Sequence, residues 1–314
     1  MGDRQATTVR DRFHGCLMGL AAGDALGTTL EFQPPGSFRP IADMVGGGPF
    51  RLAAGEWTDD TSMALCLAES LVACGGFDAA DQMRRYLRWR DEGHLGSNGR
   101  CFDIGNTVGA ALVRFARTGE PLAGSTDPRS AGNGSLMRLA PVPMRWAANP
   151  ETAVAMAADS SRTTHAAPTC IDACRYMAAL LVGALAGEPK ERLLVPRYCP
   201  VPGLWEAAPL CTEVDAVAAG SYHRKRPPAI RGTGYVVDAL EAALWAFAST
   251  DGFEQGALAA VNLGDDADTT GAIYGQLAGA HYGLAAIPAH WRGRIALADT
   301  ILALAEQLHR AACH

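Results

Sequence analysis

The sequence lacks the features that mark several large classes of protein. It has no excess of basic residues, since 33 acidic side chains outnumber 27 basic ones and the formal net charge is -6. A nucleic-acid-binding surface is therefore not expected. No uninterrupted apolar run reaches the roughly 18 residues of a membrane span; the best run, residues 176–187, is too short. The first twelve residues, MGDRQATTVRDR, are charged and have no apolar core of the signal-peptide kind behind them.

Paired cysteines and strand patterns are also missing. The nine cysteines are scattered and form no CxxC pair, and Cys170 and Cys174 lie four apart on a helical stripe. This usage fits a reducing cytoplasm better than a disulfide framework. No run of alternating apolar and polar residues predicts a strand, whereas apolar residues recur at helical spacing and make up 48% of the chain, enough for a buried core. We expect a soluble, cytoplasmic, monomeric all-α protein that forms one domain over residues 1–314.

The sequence does contain two clusters of oxygen ligands, each placed where a helix is predicted to begin. They are NLGDDADTTG at 262–271 and WTDDT at 57–61. Neither has Cys or His nearby in sequence, so this ligand set suits Mg²⁺, Mn²⁺ or Ca²⁺ and argues against zinc. Each cluster alone also fits a solvated turn or an acidic first helical turn. If the two meet, at least four carboxylates share a site, and like charges about 4 Å apart repel by about 4 kcal/mol at an effective dielectric near 20. Bound cations would relieve that repulsion.

Glycine recurs at every fourth position in two helical segments, at 15, 19, 23 and 27 and again at 271, 275, 279 and 283. Each helical glycine costs about 0.5–1 kcal/mol relative to alanine. Two such stripes therefore predict two buried helices that pack closely. Asp24 lies within the first stripe, and we interpret it as a hydrogen-bonding residue that fixes a turn rather than as a ligand.

The remaining helices are predicted from caps and apolar periodicity. Thr58 is a good N-cap for a helix over 59–74, and Asp78 for one that ends near Arg90. Residues 189–232 are expected to be loop around one short helix, 212–219. Further helices are predicted from the polar loop 96–107 to Arg117, after Asn149-Pro150, from Pro168 to about Gly187, from 232–238 onward and from Pro288 to the end.

Several polar loops precede these helices. Asp103 is hard to explain as a cap, whereas Asn106 could be one. The segment 131–138, AGNGSLMR, reads as a glycine-rich loop that opens a helix and could cradle an anion, although it lacks the lysine of a P-loop. His165 stands just before a helix, so a capping or structural histidine is an alternative to a functional one. Glu31 follows the first helix and could swing over a site.

Six motifs in this order make the chain resemble the ADP-ribosylglycohydrolase family, which includes the dinitrogenase reductase-activating glycohydrolases. They are GDALG at 23–27, TDDT at 58–61, DIGNT at 103–107, AGNGS at 131–135, TH at 164–165 and the cluster at 262–271. The resemblance extends over about residues 12–291. It implies a compact orthogonal bundle of helices around a two-metal centre that removes ADP-ribose from modified side chains.

The resemblance also implies roles for individual residues. Two divalent cations, Mg²⁺ or Mn²⁺, would be held by a ligand set made of Thr58, Asp59, Asp60, Asp266, Asp268 and Thr269. Glu31 matches a mobile glutamate that can join a metal. Asp103 matches an acid that faces the modified arginine, and Asn106 would support it. The implied substrate contacts are Asn133, Gly134 and Ser135 for diphosphate and ribose, His165 for diphosphate or distal ribose, and Tyr235 for adenine.

The implied chemistry is hydrolysis at the anomeric carbon of ribose, with the metals lowering the pKa of a water. A carboxylate among Asp59, Asp60 and Asp103 would transfer the proton, and Asp103 is preferred because metal binding keeps the others ionised. We expect an ADP-ribosylated protein as substrate, arginine as the linkage and ADP-ribose as the product. The alternatives are O-linked ADP-ribose on serine or a small molecule, a two-metal nucleotide phosphohydrolase, and an inactive ADP-ribose-binding relative. The basic turn Arg224-Lys225-Arg226-Pro227-Pro228, within the loop 222–231, has no assigned place; it is either a solvated loop or a contact for the modified protein.

Overall fold

The computed structural model describes residues 7–312, and helices are the regular elements of that range. The fifteen α-helices are α1 Val9–Gly27, α2 Asp59–Ala73, α3 Ala79–Glu92, α4 Asn106–Thr118, α5 Pro141–Arg145, α6 Pro150–Arg162, α7 Pro168–Ala186, α8 Lys190–Leu193, α9 Leu204–Ala207, α10 Thr212–Ala218, α11 Val236–Ser249, α12 Phe253–Val261, α13 Ala267–Tyr282, α14 Ala289–Arg292 and α15 Ala298–Ala312. No extended strand forms within residues 7–312. The prediction of an all-α fold is confirmed.

The capping residues explain where several helices begin and end. The Asp78 side chain accepts from the amide of Asp81, and the Asn149 side chain accepts from the amide of Thr152. Gly187 ends α7 in the left-handed conformation, with φ of 88°. These are the predicted boundaries, because each depends on a local signal that the sequence carries.

The two glycine stripes lie face to face on antiparallel helices. A Cβ added at Gly19 would overlap the carbonyl oxygen of Gly275, and one at Gly23 would overlap that of Gly271. Side chains are thus excluded from the contact, and the backbones of α1 and α13 touch. The predicted close packing is confirmed.

Three local predictions are wrong, and one helix was not predicted. The helix from Pro288 is interrupted, because the chain turns after α14 and Leu297 adopts a φ of 53° before α15 begins. Residues 134–138 form turns instead of a helix, which begins at Pro141. The segment 189–232 contains α8 and α9 in addition to the expected α10. Helix α12 was not predicted, because its short sequence has no strong cap.

Helix α7 is long and apolar enough to cross a membrane by length and composition alone, but 78% of that window is buried inside the protein. Its apolar surface is therefore used by core packing. The eight cysteines within residues 7–312 are free. The predictions of one domain and of a monomer stay predictions. The amino-terminal prediction falls partly on residues 1–6, outside the described residues.

Candidate active site

The two acidic clusters meet where α2 and α13 begin. The Thr58 hydroxyl oxygen lies 3.2 Å from the Asp268 carboxylate, and the Thr269 hydroxyl donates to the Asp60 carboxylate at 3.2 Å. Thr58 has the backbone position of an N-cap, but its side chain makes no capping bond because the hydroxyl is used here. All of these side chains are buried. The two acidic clusters therefore converge, as a shared carboxylate site requires.

Asp24 fixes the start of α2 from the end of α1. Its carboxylate accepts from the amide and hydroxyl of Thr58, at 2.9 and 3.0 Å, and from the amide and hydroxyl of Thr61, at 3.0 and 2.6 Å. Asp24 is fully buried. These four bonds agree with its interpretation as a hydrogen-bonding residue that fixes a turn.

Glu31 and Asp103 join this group from two loops. Carboxylate oxygens of Glu31, Asp103 and Asp268 lie within 4.8 Å of one another, and so do oxygens of Asp24, Asp60 and Asp268. The sequence interpretation placed Asp103 outside the acidic clusters, whereas the structure places it beside them. Its φ of 61° turns the loop before α4 toward the site. We call the seven residues Asp24, Glu31, Asp59, Asp60, Asp103, Asp266 and Asp268 the carboxylate cluster.

Burial and mutual repulsion dominate the electrostatics of the carboxylate cluster. Burial, followed by the charge of Asp103, raises the pKa of Glu31 to about 10, and burial raises the pKa of Asp103 to about 7. The pKa values of Asp59, Asp60 and Asp268 are also raised by burial, and the leading charges acting on them are other carboxylates. No cation among residues 7–312 offsets these charges at short range.

Two oxygens of the carboxylate cluster have no hydrogen-bond partner in the described part of the chain. They are Glu31 Oε2 and Asp60 Oδ2, and both are buried. A buried oxygen without a donor is costly. A hard cation with oxygen ligands would satisfy both atoms and would reduce the repulsion, so the residues present fit a divalent metal such as Mg²⁺ or Mn²⁺.

A cavity of about 670 Å³ opens beside the carboxylate cluster. Glu31, Asp59, Asp103 and Asp266 form one side, which we call the carboxylate wall. A second group of lining residues, which we call the glycine–histidine wall, consists of Gly132, Asn133, Gly134 and His165. The other lining residues are Phe32, Phe50, Ile104, Gly105, Asn106, Thr107, Val108, Met137, Gly234 and Thr269.

The glycine–histidine wall is held by backbone pairing between 131–133 and 234–236. The amide of Asn133 donates to the Gly234 carbonyl at 3.1 Å, and the amide of Val236 donates to the Ala131 carbonyl at 3.1 Å. The Asn133 side-chain amide donates to the Asp266 carboxylate at 2.7 Å, which connects the two walls. The amides of Gly134 and Ser135 make no hydrogen bond within residues 7–312. Their position after the loop suits an anion cradle.

The remaining predicted site residues occupy different positions around the cavity. Thr58, Asp60 and Asp268 are buried behind the carboxylate wall and do not line the cavity. The Ser135 hydroxyl is buried and accepts from the Ser161 hydroxyl at 2.8 Å. Tyr235 is 37% exposed and does not line the cavity either.

The structure also tests the capping alternatives. The N-cap of α4 is Gly105, so capping does not explain Asn106, which lines the cavity as the first residue of the helix. No hydrogen bond joins Asn106 to Asp103 in the described range. The N-cap of α7 is Ala167, so His165 is not a helix cap. His165 is buried and lines the cavity instead.

Sequence reasoning missed three contributors to the cavity. Phe32 and Phe50 line its mouth, with ring centroids 6.5 Å apart, and Phe32 is 63% exposed. Arg138 is fully buried behind the glycine–histidine wall. An isolated phenylalanine in a loop gives no signal, but an arginine at the end of a glycine-rich loop could have been noticed.

Comparisons with known proteins agree on one family. The family model for ADP-ribosylglycohydrolase matches residues 5–314. An ADP-ribosylarginine hydrolase Tri1 from Serratia proteamaculans is 43% identical over 95% of this chain and 79% of its own length. One from Pseudomonas putida is 45% identical over 95% and 78%. The ADP-ribosyl-[dinitrogen reductase] glycohydrolase of Rhodospirillum rubrum is 32% identical over 95% and 98%.

A solved structure agrees with this result. It is described as an ADP-ribosylglycohydrolase-related protein complex, is 45% identical and superposes with a TM-score of 0.84. The match covers 97% of this chain and 99% of that chain. The resemblance deduced from the six motifs is confirmed.

Proposed function

This chain belongs to the ADP-ribosylglycohydrolase family, and we propose that it hydrolyses the N-glycosidic bond between ADP-ribose and arginine in modified proteins. The observation that carries the linkage is Asp103, a carboxylate on the cavity wall outside the acidic helix starts. A carboxylate can pair with a guanidinium through two charge-assisted hydrogen bonds, which a serine leaving group does not offer. The names of the relatives from Serratia proteamaculans and Pseudomonas putida support the same linkage.

The proposed enzyme uses two divalent cations, Mg²⁺ or Mn²⁺. Their proposed ligands are Thr58, Asp59, Asp60, Asp266, Asp268 and Thr269, with Glu31 joining when the site is closed. The crowded carboxylates and the two partnerless oxygens support this assignment. Bound metal would position the ribose and supply a water of lowered pKa.

The chain's own residues bind the substrate and move the proton. Asp103 is the proposed proton-transfer residue, and its pKa of about 7 suits that role near neutral pH. Asn133, Gly134, Ser135 and His165 are proposed to hold the diphosphate and ribose. Tyr235 is proposed to stack on the adenine from outside the cavity, and Asn106 to support the arginine.

The proposed setting is the cytoplasm, with an ADP-ribosylated protein as substrate, ADP-ribose as product and a monomeric enzyme. The free cysteines support a reducing compartment. The basic loop 222–231 lies near this site at one end, where the Arg231 guanidinium pairs with Asp265 at 3.4 Å.

A panel of linkages tests the proposal. Peptides carrying ADP-ribose on arginine, serine or cysteine are incubated with chelated protein, with and without added Mn²⁺, and free ADP-ribose is measured. We expect release from the arginine peptide only when Mn²⁺ is present. Full activity after exhaustive chelation contradicts the metal assignment, and preferred release from the serine peptide contradicts the linkage. Released phosphate indicates a phosphohydrolase, and binding without turnover indicates an inactive relative.

A further inference from the structure

Arg138 is a buried positive charge without an acidic partner. Its side chain is fully buried, and no carboxylate among residues 7–312 lies within ion-pair distance. It donates to the Gly134 carbonyl at 3.0 Å and to the Thr164 hydroxyl at 2.6 Å, and its guanidinium carbon lies 4.8 Å from the centre of the Tyr86 ring. A buried charge is costly unless something compensates it. A positive charge kept behind one wall of a cavity therefore points to an anion on the other side of that wall.

The Thr164 hydroxyl joins Arg138 to His165. It lies 2.6 Å from the Arg138 guanidinium and 2.8 Å from His165 Nδ1. Because a guanidinium can only donate, the hydroxyl oxygen accepts from Arg138. The hydroxyl hydrogen then remains for Nδ1, since Thr164 has no other acceptor in the described residues and is fully buried. A proton on Nδ1 would leave that hydroxyl hydrogen buried without a partner, which costs about 1–3 kcal/mol.

The opposite nitrogen of His165 faces the cavity. A Cβ added at Gly134 would lie 2.9 Å from His165 Cε1 and 3.3 Å from Nε2, and one at Gly132 would lie 3.3 Å from Nε2. The imidazole edge thus lies against the two glycines of the cavity wall. Nε2 makes no hydrogen bond within the described residues. Burial, followed by the charge of Arg138, lowers the pKa of His165 to about 3, so the ring is neutral.

We propose that Arg138 and Thr164 are positioning residues that hold His165 as the Nε2–H tautomer, so that the glycine–histidine wall presents a neutral N–H donor to an anionic oxygen. The buried charge of Arg138 adds a favourable field at the same place. The assignment of that anion as the diphosphate of ADP-ribose rests on the proposed function. The assignment of the tautomer does not rest on the proposed function, because it follows from the hydrogen bonds alone.

The first test is the tautomer of His165 in the unliganded protein. Long-range ¹H–¹⁵N correlations distinguish an unprotonated Nδ1 from a protonated one. We expect wild type and Thr164→Ser to show Nδ1 unprotonated and Nε2 protonated. In Thr164→Val, which is nearly isosteric but lacks the hydroxyl, we expect a mixture of tautomers. An Nδ1–H tautomer in wild type, or an unchanged tautomer in Thr164→Val, overturns the proposal.

The second test is anion binding by calorimetry, with inorganic pyrophosphate and ADP-ribose as probes. Thr164→Val should bind both more weakly, by the factor by which the population with a donor at Nε2 falls, so that a fall to about a tenth gives about a tenfold loss. Thr164→Ser should bind within about twofold of wild type, which a merely structural role of Thr164 in packing would not predict. Equal losses in both variants overturn the proposal. If wild type binds pyrophosphate but not ADP-ribose, the proposed function fails while the assignment of the His165 tautomer stands.

Arg138→Lys extends the test to the buried charge. Lysine keeps the charge but cannot donate to Gly134 and Thr164 in the same fork, so it should give the tautomer mixture of Thr164→Val. Arg138 also packs on Tyr86, and its replacement changes the stability of the core. The Thr164 pair therefore decides the proposal, and the melting temperature of each variant is measured alongside.

Discussion

In the carboxylate wall, oxygens of Glu31 and Asp103 lie within 4.8 Å of each other, two oxygens of the carboxylate cluster lack hydrogen-bond partners, and no basic side chain of residues 7–312 pairs with the cluster. The glycine–histidine wall of the same cavity has a neutral imidazole whose Nδ1 is hydrogen-bonded and a buried guanidinium behind it. The first wall consists of acceptors that suit a cation, whereas the second offers donors to an anion. A ligand that has a diphosphate at one end and a site of positive charge development at the other matches this polarity.

The largest expected effect comes from removing one member of the carboxylate cluster behind the carboxylate wall. Asp268→Ala should abolish metal binding and activity, because Asp268 belongs to both groups of close carboxylates. The melting temperature of the metal-free variant should not fall below that of wild type, since one repulsive charge is removed. Turnover, Mn²⁺ calorimetry and circular dichroism check this. Asp265→Asn, at a neighbouring exposed ion pair, is the control and should stay active; retained metal binding in Asp268→Ala would contradict the assignment.

Asp103→Asn, also on the carboxylate wall, should impair proton transfer without impairing the binding of ADP-ribose or Mn²⁺. Asparagine is similar in shape and tolerates the φ of 61° at this position. Turnover of the arginine-linked substrate should fall by about 10²–10⁴-fold, the range typical for loss of a general acid–base. ADP-ribose affinity and the Mn²⁺-induced rise in melting temperature should stay near wild type. Turnover within a few-fold of wild type would show that Asp103 is not the proton-transfer residue.

Gly134→Ala should weaken the glycine–histidine wall alone. The added Cβ would lie 2.9 Å from His165 Cε1, closer than ordinary contact, so the imidazole must shift. We expect ADP-ribose affinity to fall by about tenfold, comparable to the loss of one good hydrogen bond. The stabilisation by Mn²⁺ should be unchanged. Gly105→Ala is the matched control, because it lines the same cavity and its Cβ would meet nothing within 4 Å.

The smallest expected effect is the pH dependence of the melting temperature, which should differ between metal-free and metal-bound protein. Burial raises the folded-state pKa of Asp24 to about 6 and that of Asp103 to about 7, above the value near 4 in the unfolded chain. Between these values the folded state binds more protons, so the contribution of these two groups to the stability of the metal-free protein is fully present below about pH 4 and is lost as pH rises through 6 and 7. Its melting temperature should drop by on the order of 5 °C between pH 5 and pH 7.5.

Metal-bound protein serves as the comparison in the same pH series. Bound cations favour the ionised form of neighbouring carboxylates, Asp24 and Asp103 included, so its melting temperature should fall less with rising pH than that of the metal-free protein. The gap between the two melting curves should therefore widen as pH rises. A metal-free protein that gains stability over this range would contradict the raised pKa values.

The features that the sequence predicted have local or periodic signals. The glycine stripes give the closest helix pair, and the helix caps at Asp78 and Asn149 give two boundaries. The family and the enzyme class followed from the six ordered motifs and are confirmed by the comparisons.

The features that were missed depend on contacts between distant residues. Asp103 joins the carboxylate cluster through a loop conformation with positive φ, which no sequence spacing indicates. Arg138 becomes important only because Thr164 and the glycine loop close around it. The helix predicted from Pro288 onward was wrong for a different reason. Its apolar residues keep helical spacing across the turn that separates α14 from α15, so the sequence pattern did not reveal the turn.

The glycine contact between α1 and α13 has one more consequence, which concerns alignment. In the observed pairing Gly27 faces the backbone of Ala267 and Asp268, whereas a slide of one helical turn would pair Gly27 with Gly271 and all four glycines with glycines. Glycine pairing alone would thus allow that slide, which displaces Asp268 by about 5.4 Å. Thr58 opposes it, because its hydroxyl lies within hydrogen-bond distance of both Asp24 on α1 and Asp268 on α13 in the observed pairing. One threonine therefore contributes to the alignment of the two helices along their axes.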